Sequence, residues 1–215
     1  MGKERIAVLG TGDVGRRLAG AFRDRGHQVM MGTRDPSRPE HAAWCRERDI
    51  ELATFEVAAE DCDIAVLCTA WDGTENALRL AHAAHLDGKV LIDVTNPLRH
   101  TEAGPVLAIG HADSAGEAVQ RWAPGASVVK CWNIVGNASM ADPAFEEGPP
   151  TMWICGEDEE AKKRVRRILG DFGWEDVVDL GGIVNSRYLE PLAMVWIVTG
   201  ARTGHWNQAF RMLRK

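Results

Sequence analysis

A glycine-rich turn near the start of the chain has the spacing of a phosphate-binding loop. It directly follows the apolar run of residues 5–9, which predicts a buried strand, and it opens a stretch whose apolar residues recur at helical spacing. In that setting the first glycine permits a tight turn, the second lets the backbone approach a pyrophosphate, and the third lets helix and strand pack closely. Free amides at the helix start then face the phosphates. The residues predicted to bind are Gly10, Thr11, Gly12, Asp13, Val14 and Gly15.

The end of the second predicted strand decides which dinucleotide fits. This strand covers residues 29–32 and continues into Thr33 and Arg34, with Arg38 close by. A hydroxyl and a guanidinium suit a 2′-phosphate, because arginine can bind it through two parallel, charge-assisted hydrogen bonds. The competing interpretation makes Asp35 the ligand of the ribose hydroxyls, as in an NAD site, and leaves Arg34 as a surface charge. The pattern favours NADP.

Polar and aromatic residues follow three further predicted strands. Because doubly wound sheets bind ligands beyond the carboxyl ends of their strands, these segments define the rest of the crevice. Two tryptophans and two asparagines at such positions would suit a flat, heteroaromatic second substrate. Alternatively, each tryptophan only packs a helix against the sheet. The segments are Thr69-Ala70-Trp71, Asn96-Pro97 and Trp132-Asn133-Ile134-Val135.

No residue is assigned as catalytic or as a metal ligand. Tyr188 has a leucine four residues later, so a Tyr-x-x-x-Lys pair is absent. Lys130 and Asn133 have the spacing of a pair used by hydroxyacid dehydrogenases, but they lie in a segment predicted to be extended. His82 and His85 share a predicted helix face without a third ligand. Hydride transfer between two redox cofactors would explain this, because the cofactors themselves carry the reactivity.

The alternation of strand and helix patterns predicts an α/β fold: a Rossmann-type, doubly wound, mostly parallel sheet with C-terminal strands and a terminal helix. The 215 residues suit one domain, 1–215. Residues 1–125 form its dinucleotide-binding core, and residues 126–215 close the second-substrate crevice. Strands are predicted at 5–9, 29–32, 64–68, 90–94, 128–132, 152–155 and 176–180. Helices are predicted over 12–25 and 74–86, from 114, after 157, and from 183 to the chain end.

Composition and charge exclude several classes of partner. The net charge of −6 argues against nucleic-acid binding, which requires a basic surface. The five cysteines show no zinc-like spacing, and Cys68, Cys131 and Cys155, which fall in apolar runs, are read as reduced core residues. We expect no signal peptide and no membrane span. We expect a cytoplasmic protein acting on a small-molecule redox substrate. Exposure of Leu192, Val195 and Trp196 on the last helix would favour a homodimer or another partner.

Six segments carry a resemblance that covers nearly the whole chain: residues 8–15, 31–36, 93–98, 128–133, 154–158 and 185–192. They resemble the NADP-dependent reductases of the deazaflavin coenzyme F420, and they are also similar to the cytosolic NADPH domain of membrane metalloreductases. The resemblance implies that Thr33 and Arg34 hold the 2′-phosphate of NADP, and that residues 69–71 with Asn96 and Pro97 lie along the cofactor. It further implies a second substrate, F420, near residues 132–135, Leu189 and Leu192. A non-catalytic NADP sensor is the alternative from another class.

Overall fold

The computed structural model describes residues 2–215, and its elements alternate between strand and helix over most of the chain. The strands are β1 (Arg5–Leu9), β2 (Gln28–Thr33), β3 (Glu51–Thr54), β4 (Ile64–Leu67), β5 (Val90–Asp93), β6 (Leu98–Thr101), β7 (Gly104–Leu107), β8 (Ser127–Lys130), β9 (Thr151–Ile154) and β10 (Asp176–Asp179). The α-helices are α1 (Asp13–Asp24), α2 (Pro39–Arg46), α3 (Phe55–Glu60), α4 (Trp71–Leu80), α5 (Ala115–Trp122), α6 (Glu159–Asp171) and α7 (Ser186–Thr203).

Six parallel strands form the central sheet in the order β3-β2-β1-β4-β5-β8. The apolar runs of β4 and β5 are buried on both faces, as expected for strands covered by helices on either side. Helix α1 buries Leu18 and Phe22, the residues whose spacing predicted it. Strands β9 and β10 pair in parallel and join β8 through a single antiparallel bridge between Lys130 and Cys155. The predicted fold class is confirmed.

Several elements differ from the prediction. Strand β3, helices α2 and α3 and the β6–β7 hairpin were not foreseen. The predicted helix over 74–86 begins earlier, at Trp71, and its α-helical part ends at Leu80, because His82 has a left-handed φ of 49°. The strand at 128–132 ends at Lys130, since Trp132 also has a positive φ.

The last helix also differs from its prediction. Helix α7 stays continuous through Pro191, which lies on the exposed side, where water can solvate the carbonyl group that loses its donor. It ends at Thr203, and the remaining residues fold back along it, with the ring of Trp206 5.5 Å from that of Trp196. Within residues 2–215 no helix has both the length and the apolar character to span a membrane.

Side chains cap the first turns of two helices, α5 and α6. The Oγ of Ser114 accepts a hydrogen bond from the backbone of Glu117 and donates one to its carboxylate, which is the reciprocal pair of a capping box. At α6 the carboxylate of Asp158 accepts from the amides of Glu160 and Ala161. These caps fix the helices that flank the edge strand β8.

Candidate cofactor-binding site

The glycine-rich turn connects β1 to α1, and its three glycines meet three different constraints. Gly10 has a φ of +131°, and a Cβ there would lie 2.7 Å from the carbonyl oxygen of Cys68. A Cβ on Gly15 would lie 2.2 Å from the carbonyl oxygen of Gly10, so helix and strand approach this closely only without a side chain. At Gly12, the N-cap of α1, a Cβ would meet no atom of the described residues within 4 Å. The backbone at Gly12 is therefore open to an approaching phosphate.

The turn forms one wall of a cleft of about 800 Å³ at the carboxyl ends of β1, β2 and β4. Strands β2 and β4 flank β1 on opposite sides, so the strand order reverses here, and doubly wound folds bind dinucleotides at this point. The structure thus brings together many of the residues that the sequence assigned to the cofactor. Those lining the cleft are Gly10, Thr11, Gly12, Thr33, Arg34, Arg38, Thr69 and Ala70.

The other residues of the turn and the first residue of α4 lie outside this cleft. Gly15 is buried and Val14 is half-buried against the core, while Asp13 is exposed in the first turn of α1. Trp71 stacks on Trp122 of α5, with ring centroids 5.4 Å apart and planes inclined by 31°. Trp71 therefore packs α4 against α5, whereas the alternative interpretation placed it between a helix and the sheet.

The loop after β2 separates its acidic residue from its basic ones. Asp35 accepts hydrogen bonds from the amide and the hydroxyl of Ser37, at 3.0 and 2.5 Å, and these bonds lower the pKa of its carboxyl group. Arg34 is exposed and makes no hydrogen bond or ion pair to any of residues 2–215. Arg38 lies 3.7 Å from the carboxylate of Glu40, and both side chains are exposed. The carboxylate is engaged in a local turn, whereas the guanidinium of Arg34 is free to bind an anion.

His41 lines the same cleft, and sequence reasoning missed it. Its Nε2 lies 3.2 Å from Oγ1 of Thr11, and its Nδ1 lies 3.2 Å from the guanidinium of Arg16. It belongs to α2, whose only fully buried residue is Cys45, so apolar periodicity could not reveal that helix. The available signal was Pro39, a residue favoured at the first position of a helix.

Two asparagines connect the ends of β5 and β8. Nδ2 of Asn96 donates to the backbone carbonyl of Asn133 at 2.7 Å, and Nδ2 of Asn133 donates to Oδ1 of Asn96 and to the carbonyl of Leu189. Because that carbonyl can only accept, the orientation of the Asn133 amide is fixed. Its Oδ1 is buried without a partner among the described residues. The pair, with buried Pro97 beside it, thus links the crevice side of the sheet to α7.

A buried group of charges lies behind these asparagines. Nζ of Lys130 is 2.9 Å from Asp93, 3.1 Å from Glu190 and 2.6 Å from the carbonyl of Thr95, and all three charged side chains are inaccessible to solvent. Glu190 also accepts from the two amides at the start of α5, each at 3.0 Å. Burial by itself lowers the pKa of Lys130, but the two carboxylates outweigh it and raise that pKa. Lys130 is therefore a structural cation, and it does not reach a substrate.

Most residues predicted to contact the second substrate lie in the core. The side chain of Trp132 is fully buried, with its ring centroid 5.3 Å from that of Phe172 and 6.4 Å from that of Phe22. It packs α1 and α6 against the sheet, which corrects the prediction that it faces the substrate. The neighbours predicted with it are also buried, whereas Leu192 of α7 is half-buried. Those buried neighbours are Asn133, Ile134, Val135 and Leu189.

The described cysteines and histidines form no redox or metal site. All five cysteines are free, and burial raises the pKa of Cys155 to about 11 and that of Cys131 well above its usual value. The described residues contain no group of three or more side chains able to hold a metal ion. His82 is exposed and lies 3.6 Å from Glu56.

The fold and the cleft define a protein of the dinucleotide-binding Rossmann class. The family described as NADP oxidoreductase, coenzyme F420-dependent, matches residues 5–97. A solved structure of a candidate F420-dependent NADP reductase from Arthrobacter sp. FB24 superposes with a TM-score of 0.94 and 38% identity, covering 98% of this chain and 100% of that one. The chain belongs to this family of NADP-dependent oxidoreductases.

Two groups of further relatives differ in length. The F420-dependent NADP reductase of Methanothermobacter marburgensis is 29% identical, and the alignment covers 97% of each protein. Metalloreductase STEAP3 of Rattus norvegicus is 26% identical over 88% of this chain, but the match covers only 36% of that protein. The chain thus spans nearly the whole of the first relative and about a third of the second.

Proposed function

We propose that the protein transfers a hydride between NADP(H) and a deazaflavin of the F420 type. The observation that carries this proposal is the cleft, in which the phosphate-binding turn and a free arginine beyond β2 line one cavity. The similarity over the full length to the reductase of Methanothermobacter marburgensis, which is named for both substrates, supports the choice of acceptor.

The residues of the cleft have the chemistry that NADP requires. The open backbone at Gly12 and the first amides of α1 suit the pyrophosphate. Arg34 and Arg38, with the hydroxyl of Thr33, suit the 2′-phosphate, since a guanidinium binds phosphate through paired, charge-assisted bonds. Asp35 is engaged by Ser37, which speaks against its role as a ribose ligand in an NAD site. The bound nicotinamide would supply the hydride.

The acceptor would lie beyond the carboxyl ends of β5 and β8. In this proposal the Asn96–Asn133 amide pair fixes the loops there, and Ile134, Val135, Leu189 and Leu192 support them from the core side. Hydride transfer between two rings requires alignment and exclusion of water more than a protein acid or base. The proposal therefore divides the single domain into a cofactor-binding part, residues 1–125, and a part that closes the acceptor crevice, residues 126–215.

A second candidate function is reduction of another acceptor, such as a flavin or a ferric chelate, by NADPH. It is favoured by the similarity of most of this chain to a metalloreductase, although the match covers only 36% of that relative. The same phosphate-binding turn and the same arginines would serve both functions. The two functions differ only in what occupies the crevice beyond β5 and β8.

Steady-state oxidation of NADPH by the purified protein, followed by the loss of the reduced nicotinamide absorbance, tests the proposal. F420, FMN and a ferric chelate are compared as acceptors under the same conditions. We expect turnover with F420 and little or none with the other two. Turnover with the ferric chelate or FMN, but not with F420, would show that the acceptor is not F420. Tight NADPH binding without turnover would favour a sensor.

A further inference from the structure

A histidine stands at the cofactor cleft without a part in the function proposed above. His41 is half-buried on α2, and it lines the cleft together with the basic residues of the loop after β2. It links two elements of the site, because it contacts Thr11 of the phosphate-binding turn and Arg16 of α1. The ring is therefore held between the turn and the region assigned to the 2′-phosphate.

The hydrogen bonds fix the protonation of this ring in the structure. A guanidinium can only donate, so Nδ1 of His41 must accept from Arg16 at 3.2 Å. The remaining nitrogen, Nε2, then carries the single proton and faces Oγ1 of Thr11 at 3.2 Å. In this arrangement the imidazole is neutral. Protonation at Nδ1 would turn it into a donor and break its bond with Arg16.

The charged groups around His41 favour an anion in the cleft. Arg16, Arg34 and Arg38 supply three cations from α1 and the loop after β2. Three carboxylates lie near the cleft. Asp35 is hydrogen-bonded to Ser37, and Glu40 is exposed and pairs with Arg38. Asp72 comes from α4 on the opposite wall. A phosphate dianion bound between Arg34 and Arg38, the two arginines that line the cleft with His41, would attract one more positive charge.

We propose that His41 takes up a proton from solvent when the 2′-phosphate of NADP binds, and that it then donates a hydrogen bond to that phosphate. This inference rests on the proposed NADP site. Protonation releases Arg16 from Nδ1 and gives the imidazolium two N–H donors, one of which can face the phosphate. Charge-assisted bonds of this kind are about twice as strong as neutral ones.

The uptake makes cofactor preference depend on pH. Uptake of a proton from solvent becomes more favourable as the pH falls, because the proton concentration rises. The affinity for NADP should rise relative to that for NAD as the pH falls from about 8 to about 6.5. Below about pH 6 the phosphate itself gains a proton, and the trend should end.

Calorimetric titration with the two adenosine fragments tests this without turnover. At about pH 7.5, in two buffers that differ in ionisation enthalpy, 2′,5′-ADP reports the 2′-phosphate and 5′-AMP lacks it. We expect net proton uptake by the wild type with 2′,5′-ADP and none with 5′-AMP. His41→Gln keeps a polar side chain of similar reach. It should abolish the uptake and weaken 2′,5′-ADP roughly tenfold, with 5′-AMP unchanged.

The control variant is His82→Gln, which alters an exposed histidine at the end of α4 and should leave both ligands and the uptake as in the wild type. Equal weakening of both ligands by His41→Gln, or uptake that persists in it, would overturn the role of His41. If the wild type does not bind 2′,5′-ADP, the proposed NADP site fails as well. The two failures are therefore distinguishable.

Discussion

Gly12 shows how a missing side chain defines a binding surface. A Cβ added there meets no described protein atom within 4 Å, so only a ligand would encounter it. Gly12→Ala should therefore weaken NADP binding at least about tenfold, while the free energy of unfolding changes by no more than about 1 kcal/mol. Isothermal titration and urea denaturation measure the two effects.

Gly20 offers a matched control in the same helix. A Cβ added to Gly20 also meets no described atom within 4 Å, but this residue lies inside α1, away from the cleft. Gly20→Ala should stabilise the protein by roughly 0.5–1 kcal/mol and leave NADP affinity unchanged. If Gly12→Ala binds NADP as tightly as the wild type does, the pyrophosphate does not bind at this turn.

Arg34 is the residue on which the choice of dinucleotide depends. Because Arg34 has no partner among residues 2–215, its replacement should weaken cofactor binding and change the free energy of unfolding little. Arg34→Ala should weaken NADP by roughly 10- to 100-fold, corresponding to about 1.5–3 kcal/mol for a charge-assisted bond, and NAD by less than about threefold. Direct binding titrations with both dinucleotides check this, and Arg34→Lys should recover part of the loss. An equal loss of affinity for NADP and NAD would show that Arg34 does not bind the 2′-phosphate.

At this scale the sequence predicted the geometry of the glycine turn and the position of Arg34 and Arg38 at the cleft, but not the burial of Trp132. The roles of Gly10, Gly12 and Gly15 follow from backbone chemistry, which the motif and its flanking strand contain. The position of Trp132 depends on a left-handed φ of 59° and on contacts with two distant helices. Neither is visible in local spacing.

Among the elements, β5, β8 and α7 are held together by one buried cation. Removing it leaves the carboxylates of Asp93 and Glu190 close together in the core. Lys130→Met should destabilise the protein by about 3–5 kcal/mol, and Lys130→Met with Glu190→Gln should recover part of that loss. Urea denaturation measures both variants. A cost below about 1 kcal/mol would show that the charges contribute little to the packing of α7.

The same cation has a pH signature. The pKa of Lys130 is raised above its usual 10.5 in the folded protein. A raised lysine pKa gives stability that is fully present below about pH 10.5 and is lost as the pH rises through the folded value. The difference in stability between the wild type and Lys130→Met should therefore shrink above about pH 10.5. A difference that stays constant into that range would contradict the paired state of Lys130.

The segment after α7 supports the helix from outside. Gln208 exchanges two hydrogen bonds with Trp196, at 2.7 and 2.8 Å, and Trp206 packs on Gly200. Deleting residues 205–215 should lower the free energy of unfolding by about 2 kcal/mol or more, through loss of burial. Because these residues do not line the cofactor cleft, we expect a higher KM for the acceptor and an unchanged Kd for NADP. An unchanged KM for the acceptor with a higher Kd for NADP would show that the segment contributes to cofactor binding instead.

The elements missed by the sequence share a weak pattern. Helix α2 buries one residue fully, and β3 has two half-buried residues between two exposed ones, so neither shows the apolar period of an ordinary helix or strand. The fold-back after α7 is specified by contacts with Trp196, which a helix pattern cannot express. In contrast, β1, β4 and β5 are apolar and buried almost throughout, and their ends were predicted within one or two residues.

For the whole molecule, the net charge of −6 contrasts with the basic groups of the cleft. An acidic surface with a local basic cluster suits a small anionic ligand better than a nucleic acid, in agreement with the composition. Helix α7 exposes Tyr188, Val195 and Val198, while Trp196 is half-buried by the segment after it. Homodimer formation through this face remains a prediction, which the molecular mass in solution can test.

Direct transfer of hydride between NADPH and F420 is the central claim, and isotope tracing tests it most directly. NADPH carrying deuterium at the transferable position is mixed with F420 and the enzyme in ordinary water, and the reduced acceptor is analysed by mass spectrometry. We expect the reduced deazaflavin to contain the deuterium, because the proposed function transfers the hydride directly from ring to ring without an intervening protein proton. Reduced F420 without the label, or no reduction of F420 by NADPH at all, would contradict the proposed function.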